Sequence, residues 1–175
     1  MTANTAEAAA TALIRPIREA EIAAVSALTV EAYTSAYEIN GNYLRELGQV
    51  AERVRTQQVW VAVDEATNEL LGTVSTPLPG ERLSDFALPS DMDFRLLATS
   101  PAARGRGIGR ALVEHCADLA RARGASRLVL HTGADMDLAV RLYESMGFDR
   151  LTEIENNFPY PPGVWYAVKV YGRAL

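Results

Sequence analysis

At 175 residues and 19.0 kDa, with 49% hydrophobic and 22% charged residues, the chain has the make-up of one ordinary globular domain, which excludes a disordered polymer, a collagen-like repeat and a small disulfide scaffold. Lysine and arginine number 17 against 22 acidic residues, so the net charge is −5 and the pI near 5.1, a poor match for nucleic acid, whose phosphates call for clustered positive charge. A single cysteine, Cys116, excludes an internal disulfide and a cysteine-based metal cage.

Residues 1–12 (MTANTAEAAATA) carry neither a basic n-region nor an apolar h-region, so they are expected to form a flexible tail rather than a secretory leader. Residues 13–19 (LIRPIRE) read as a short strand, placed at an edge by Pro16. From 19 to 37, Ile22, Val25, Leu28, Ala32 and Tyr33 recur at three- and four-residue spacing and predict an amphipathic helix; Gly41 breaks it, and 43–54 predict a second helix. Strands follow at 58–63 (QVWVAV) and 70–76 (LLGTVST), joined by a polar turn at 64–68. Pro77, Pro79, Gly80 and Pro89 mark a loop that ends near Asp91.

A strand at 94–99 (FRLLAT) precedes Pro101 and a glycine-rich turn, which feeds a helix over 107–123 that stops at Gly124. Residues 127–132 (RLVLHT) form a strand. Asp135 can cap a helix that runs to 146 and stops at Gly147. Strands at 148–156 and 165–171 close the chain around a Pro-rich loop, 158–163. The order β α α β β β α β α β β predicts a mixed sheet with parallel pairing in its second half. No interdomain linker and no internal repeat is found, so 13–175 read as one domain. No stretch approaches the roughly 18 apolar residues that cross a bilayer, so no membrane partner is expected and a cytoplasmic, reduced setting is the default.

The sharpest local feature is Arg104-Gly105-Arg106-Gly107-Ile108-Gly109, between a strand and a helix. It is not a dinucleotide fingerprint, because the sixth position counted from Gly105 is Arg110 rather than glycine. Nor is it a P-loop, since the only lysine is Lys169. The chemistry of an anion cradle nevertheless remains. Glycines let backbone N–H groups approach a phosphate, and no Ser, Thr, Asp or Asn stands before Gly107 to cap the helix that follows. Residues 101–130 hold six arginines (104, 106, 110, 121, 123 and 127) against Glu114 and Asp118, a net +4 inside a chain whose remainder is −9. The alternative is an ordinary glycine turn flanked by solvated arginines.

The remaining chemistry-bearing residues read mainly as packing. His115 and Cys116 share a helix with Leu112 and Leu119, and their adjacency points the two side chains in different directions. His131 ends a strand, where it could line a cleft. No histidine or cysteine has metal-ligand spacing, so no metal is expected. The stiff aromatic loop 158–163 could wall a substrate site, pack on a partner subunit or turn the last hairpin.

Two spaced motifs carry a resemblance. Leu96-Leu97-Ala98-Thr99-Ser100-Pro101 followed by Arg104, Gly107 and Gly109 matches an apolar strand, a proline, then Q/R-x-x-G-x-G/A opening a helix. Ala139, Leu142, Tyr143, Gly147 and Phe148 match Ala-x-x-Leu-Tyr-x-x-x-Gly-Phe. With this element order across about 13–172, the chain resembles the GNAT superfamily of acetyl-CoA-dependent N-acyltransferases. The resemblance implies an α/β (α+β) fold: a mixed, mostly antiparallel central sheet flanked by helices, with a splayed parallel strand pair.

It also implies an acetyltransferase moving an acetyl group from acetyl-CoA to an amine in a ternary complex. Arg104, Gly105, Arg106, Gly107, Ile108, Gly109 and Arg110 would bind the pyrophosphate of coenzyme A. Leu97, Ala98 and Thr99 would pair with its pantetheine arm. A backbone N–H near Leu97 would stabilise the oxyanion. Tyr143 would protonate the departing thiolate, a task suited to a phenol of reference pKa about 10.

Many family members carry asparagine three residues before the alanine of the second motif; here Met136 stands there, with Asp135 and Asp137 as nearby substitutes. No motif assigns the base, for which Asp91, Asp93, Glu38 and a water chain are the candidates. The acceptor would be a small-molecule or peptide amine, and the family's habit of pairing through edge strands or C-terminal elements allows a homodimer. The competing class is a non-catalytic module of the same fold that senses coenzyme A.

Overall fold

In the computed structural model, which describes residues 12–156 and 167–175, the chain opens with β1 (Ala12–Pro16) and a single 3-10 turn (Glu19–Glu21). Three helices follow: α1 (Ile22–Thr34), α2 (Gly41–Gly48) and α3 (Val50–Thr56). Next come β2 (Gln57–Asp64), β3 (Leu70–Pro77), β4 (Asp91–Asp93) and β5 (Arg95–Thr99). The second half runs α4 (Ile108–Ala122), β6 (Arg127–Gly133), α5 (Asp137–Ser145), β7 (Asp149–Arg150), α6 (Thr152–Asn156) and β8 (Val168–Ala174). Ala12, read above as the last residue of the tail, is the first residue of β1; residues 1–11 and the loop 158–163 lie outside the described residues.

The strands form two four-stranded sheets. One is antiparallel in the order β1-β2-β3-β5, and the other runs β4-β6-β8-β7. β2 explains why helices cover both faces of the first sheet. Val59, Val61 and Val63 are buried, and the last two pack with Val25 of α1 and Val50 of α3, while Trp60 and Ala62 join the cluster around α4. At Gly72 of β3 an added Cβ would stand 2.7 Å from the Ala98 carbonyl and 3.0 Å from both Ile108 and Leu112, so glycine lets α4 lie tight against the sheet.

Among the described residues one strand pair is parallel, β4 with β6 in the second sheet, and the chain passes from there to the first sheet through Phe94. Asp91, Met92 and Asp93 run alongside Arg127, Leu128 and Val129, and the Phe94 N–H still reaches the Val129 carbonyl at 3.3 Å. From Arg95 the chain turns to β3 instead, so β5 and β6 diverge. The mixed, mostly antiparallel architecture with a splayed parallel pair is therefore present. The strand expected at 94–99 is divided, because 91–93 belongs to one sheet and 95–99 to the other.

Other boundaries differ for identifiable reasons. The helix expected over 43–54 breaks at Gln49 (φ −84°, ψ 48°), and the buried Arg53 guanidinium donates to the Glu46 and Leu47 carbonyls at 2.6 and 3.0 Å, serving the open end of α2. α5 starts at Asp137 with Met136 rather than Asp135 at its cap. The strand expected at 148–156 shrinks to Asp149–Arg150. Glu155, paired with Arg150 at 2.8 Å, accepts the Val170 N–H at 2.9 Å, so a side chain from α6 replaces the backbone ladder. The last strand, expected at 165–171, is Val168–Ala174, with residues 165 and 166 outside the described residues. Among the described residues, no helix is long and apolar enough to cross a membrane.

Candidate functional site

The divergence of β5 from β6 opens a cavity of about 630 Å³. Its walls are β5 on one side, the end of β6 on the other, and the first turns of α4 and α5, with the end of α1 and residues 36–40 as its roof. A bulge shapes the β5 wall. Thr73 faces Ala98 and Ser75 faces Arg95, so Leu96 and Leu97 together stand opposite Val74. Leu96 takes φ 55°, a left-handed conformation that costs a branched side chain roughly 1–2 kcal/mol. Such a bulge leaves one residue of the strand out of the ladder, here beside Leu97, which lines the cavity together with Ala98 and Thr99.

The glycine-rich turn closes one end. Gly105 and Gly107 adopt φ 76° and 78°, and nothing lies within 4 Å of where a Cβ would stand on either. Gly107 caps α4 without a side-chain bond, and the first intrahelical bond runs from the Ala111 N–H to the Gly107 carbonyl. The N–H groups of Ile108, Gly109 and Arg110 are thus the unserved donors of the helix N-terminus, at the positive end of its dipole. Gly109 is held close: a Cβ there would meet Leu142 at 3.2 Å and Thr99 Oγ1 at 3.5 Å. All of these glycines and Ile108 line the cavity.

The three arginines of the turn separate. Arg104 lines the cavity but spends its guanidinium on α1, donating to the Ala32 carbonyl and to Ser35 Oγ, each at 2.8 Å. Arg106 turns to Asp64, 3.5 Å away, and is not part of the cavity wall. Arg110 lines the wall and donates to Ser145 Oγ at 2.9 Å.

Tyr143 stands on the opposite side, on α5, buried and packed against Phe94, Phe148 and Tyr171 with ring centroids 5.8–6.4 Å apart. Burial pushes its phenol well above the ordinary tyrosine value, with smaller contributions from Tyr37, Cys116 and Tyr43, so it remains protonated. Three further tyrosines reach the same cavity, Tyr33 from α1, Tyr43 from α2 and Tyr37 from the segment between them. Tyr33 makes edge contacts with Tyr37 and Tyr43 at 6.2 and 5.9 Å, and its phenol is also raised by burial. Tyr37 bridges the roof to α5: its phenol is raised by burial and partly lowered again by a hydrogen bond from the Ala139 backbone.

Of the carboxylates considered as a base, only Glu38 lines the cavity. Asp91 is bound to Arg127 through two bonds of 2.9 Å, and its side chain is 1% exposed. Asp93 is fully buried, accepts the Leu83 N–H at 3.0 Å, and has its pKa raised by desolvation. His131 lines the cavity, edge-on to Phe86 at 5.7 Å, and desolvation, aided by the Arg95 charge, lowers it to about 4. Met136 lines the cavity too. Cys116 is buried in the core with its thiol pushed up by desolvation, and His115 packs edge-on to Trp60 at 4.4 Å. Among the described residues, no group of three or more His, Cys, Asp or Glu side chains is placed to hold a metal ion.

Spacing brought together the turn, β5 and Tyr143, whereas the bulge and the tyrosine roof were missed. Tyr33 and Tyr37 sit four residues apart, one face of the helix expected over 19–37, and that was the available signal, although α1 ends at Thr34 and Tyr37 follows it. Leu96 carries no signal, since the strain there is imposed by the sheets.

The arrangement has relatives. Residues 10–148 match the model of the Acetyltransferase (GNAT) family. A mycothiol acetyltransferase of Beutenbergia cavernae is 31% identical over 137 residues, which is 74% of this chain and 42% of that protein. The [ribosomal protein bS18]-alanine N-acetyltransferase of Escherichia coli K12 is 39% identical over 67 residues, 38% of this chain and 45% of that one. The chain thus spans less than half the length of these curated relatives. Among solved structures, the PaiA N-acetyltransferase of Thermoplasma acidophilum in complex with coenzyme A shares the fold at a TM-score of 0.68 and 12% identity, over 94% of this chain and 99% of that one.

Proposed function

The chain belongs to the GNAT acetyltransferase family, and from that premise we propose that residues 13–175 form one transferase domain that moves an acetyl group from acetyl-CoA to an amine by direct attack. The observation that carries this reading is the continuity of one cavity from the unserved N–H groups at the start of α4, along the β5 bulge, to the Tyr143 phenol.

Acetyl-CoA fits the donor set. A pyrophosphate supplies the acceptors that α4 lacks, and the Cβ-free surface of Gly105 and Gly107 admits its close approach. Bound there, the cosubstrate brings a thioester that an amine can attack. The N–H beside the Leu96 bulge, at Leu97, would bind the oxygen that gains charge during attack. Tyr143, kept protonated by burial, would give its proton to the leaving sulfur. Glu38, at the cavity edge, would take the proton that the amine sheds, directly or through water. Arg104 and Arg110 add positive charge near the turn, with Arg104 acting mainly through α1. A cytoplasmic setting and an amine acceptor, small or peptidic, are part of the proposal.

The test is thiol release from acetyl-CoA across a panel of small amines, amino acids and peptide N-termini, alongside calorimetry with coenzyme A. Turnover with at least one amine is the expected result. Micromolar binding without turnover on any amine would instead identify a coenzyme A-sensing module, and absence of binding at millimolar ligand would overturn the cradle.

A further inference from the structure

α5 starts without a side-chain cap of its own. Met136 stands at its N-cap, where a thioether is a poor acceptor, and the first intrahelical bond runs from the Val140 N–H to the Met136 carbonyl at 3.1 Å. The Asp137 N–H folds back on the Asp135 carbonyl at 3.0 Å. The Ala139 N–H, in the third helical position, is answered from another element: it donates to the Tyr37 phenol oxygen. In an ordinary helix a Ser, Thr, Asp or Asn at the N-cap supplies that acceptor.

Tyr37 is itself held from α1. Its N–H donates to the Tyr33 carbonyl at 2.9 Å, and its ring meets the Tyr33 ring edge-on with centroids 6.2 Å apart. The end of α1 is in turn tied to the glycine-rich turn by Arg104. One phenol thus links the first turn of α5 to α1 and the glycine-rich turn. Ala139 and Tyr143 lie four residues apart on one face of α5, and both line the large cavity together with Tyr37. With nine residues, α5 is short enough for a shift of its first turn to be passed on to Tyr143.

We propose that Tyr37 is a positioning residue: its phenol oxygen caps α5 in place of Met136 and thereby sets where the Tyr143 O–H stands in the cavity. The proposal rests on the reading of Tyr143 as the acid of the transfer. Tyr37 gives up no proton in this role and only accepts one hydrogen bond from Ala139.

Amide exchange on the free protein, followed by NMR, reads the cap, and steady-state kinetics read its consequence. Tyr37→Phe keeps the ring against Tyr33 and removes the acceptor, so the Ala139 amide should exchange about fivefold faster or more. With an amine that the wild type turns over, kcat should fall about tenfold while KM for acetyl-CoA stays within about twofold. In a Tyr143→Phe background the same change should lower kcat by less than about twofold, because it acts through the O–H that is missing. Met136→Ser puts a hydroxyl at the N-cap and should return most of the rate to Tyr37→Phe. Unaltered Ala139 exchange, a lower melting temperature with kcat unchanged, or losses that add in the double variant would each overturn the proposal. A wild type that turns over no amine, or Tyr143→Phe at full rate, overturns the acid reading instead, and the Ala139 comparison still decides whether Tyr37 is the cap.

Discussion

Arg104 of the glycine-rich turn and Ala32 of α1 are joined by a 2.8 Å hydrogen bond from guanidinium to carbonyl, so the turn is fastened to the open C-terminal end of a helix 72 residues earlier. The same side chain reaches Ser35. A cation at that end also meets the negative pole of α1. Arg104→Leu is therefore expected to cost about 1 kcal/mol in urea unfolding, with coenzyme A affinity falling only severalfold. A variant of unchanged stability that loses more than about a hundredfold in affinity, some 2.7 kcal/mol, would mean that the guanidinium serves the ligand directly.

Tyr143→Phe keeps the ring in its aromatic cluster and removes only the O–H. Turnover should drop by about 10²-fold or more while acetyl-CoA binding changes little, because the role proposed for the O–H is proton transfer. Single-turnover kinetics beside a binding titration separate the two quantities, and unaltered turnover would remove Tyr143 from the acid role.

Glycines 72 and 105 should respond differently to alanine. Gly105→Ala meets open space but must hold φ 76°, a strain of about 1 kcal/mol. Gly72→Ala drives a Cβ to 2.7 Å from the Ala98 carbonyl, and a loss of about 2–3 kcal/mol is expected from the displaced strand. Denaturant midpoints of the two variants check the order.

His131 and Glu21 contribute to adjacent pH windows of stability. His131 stays neutral down to about 4, whereas an unfolded histidine takes its proton near 6.5. The unfolded chain thus binds more protons, and stability should fall as pH drops from about 6.5 to 4, by up to about 3 kcal/mol. Glu21, bonded to Arg15 at 2.6 Å, is lowered to about 2, so its contribution is present above about 4.5 and is lost on acidification toward 2. His131→Asn should reduce the upper window, to which His115, also lowered by desolvation, contributes, and Glu21→Gln should reduce the lower, which Glu114 and Glu155 share, in chemical denaturation across pH.

Asp91 is a structural partner of Arg127, and Glu38 is the carboxylate proposed for the chemistry. Asp91→Asn strands Arg127 beside a buried amide and is expected to cost about 3 kcal/mol of stability. Glu38→Gln, on an exposed segment, should leave stability within about 0.5 kcal/mol and lower turnover at neutral pH. Calorimetric melting and initial rates on the same preparations would show the split, and a fully active Glu38→Gln would pass the proton to water.

The glycine-rich turn was legible because its conformation is local: Gly105, Gly107 and the uncapped start of α4 are neighbours in sequence, and glycine declares the backbone it permits. Tyr143 was legible only through a spaced motif, since a tyrosine at helical periodicity reads as core, and by burial Tyr143 is core as well. The fates of Arg104 and Arg106 were not legible, because Ala32 and Asp64 meet them only after folding. Asp91 and Asp93 were candidates for the base; Arg127 of β6 binds the first and the Leu83 N–H the second, and no local pattern encodes either contact. Gln49 broke a helix whose periodicity ran on unbroken, since Arg53 serves the α2 carbonyls from the next helix.

One consequence of the divided sheets concerns how the cleft is tuned. The sheets behave like the leaves of a book, with β4 and β5 as a single sewn thread through Phe94 and α4 as the spine, because α4 packs against β1, β3 and β5 on one leaf and β6 on the other. The angle between the leaves is then a property of the spine. Its buried side chains, such as Leu112, Cys116 and Ala120, act as shims of fixed thickness in a close-packed interior. Thickening one of them would open or close the cleft without touching any residue that lines the cavity. Acyl groups of different width could thus be admitted by changes in the core.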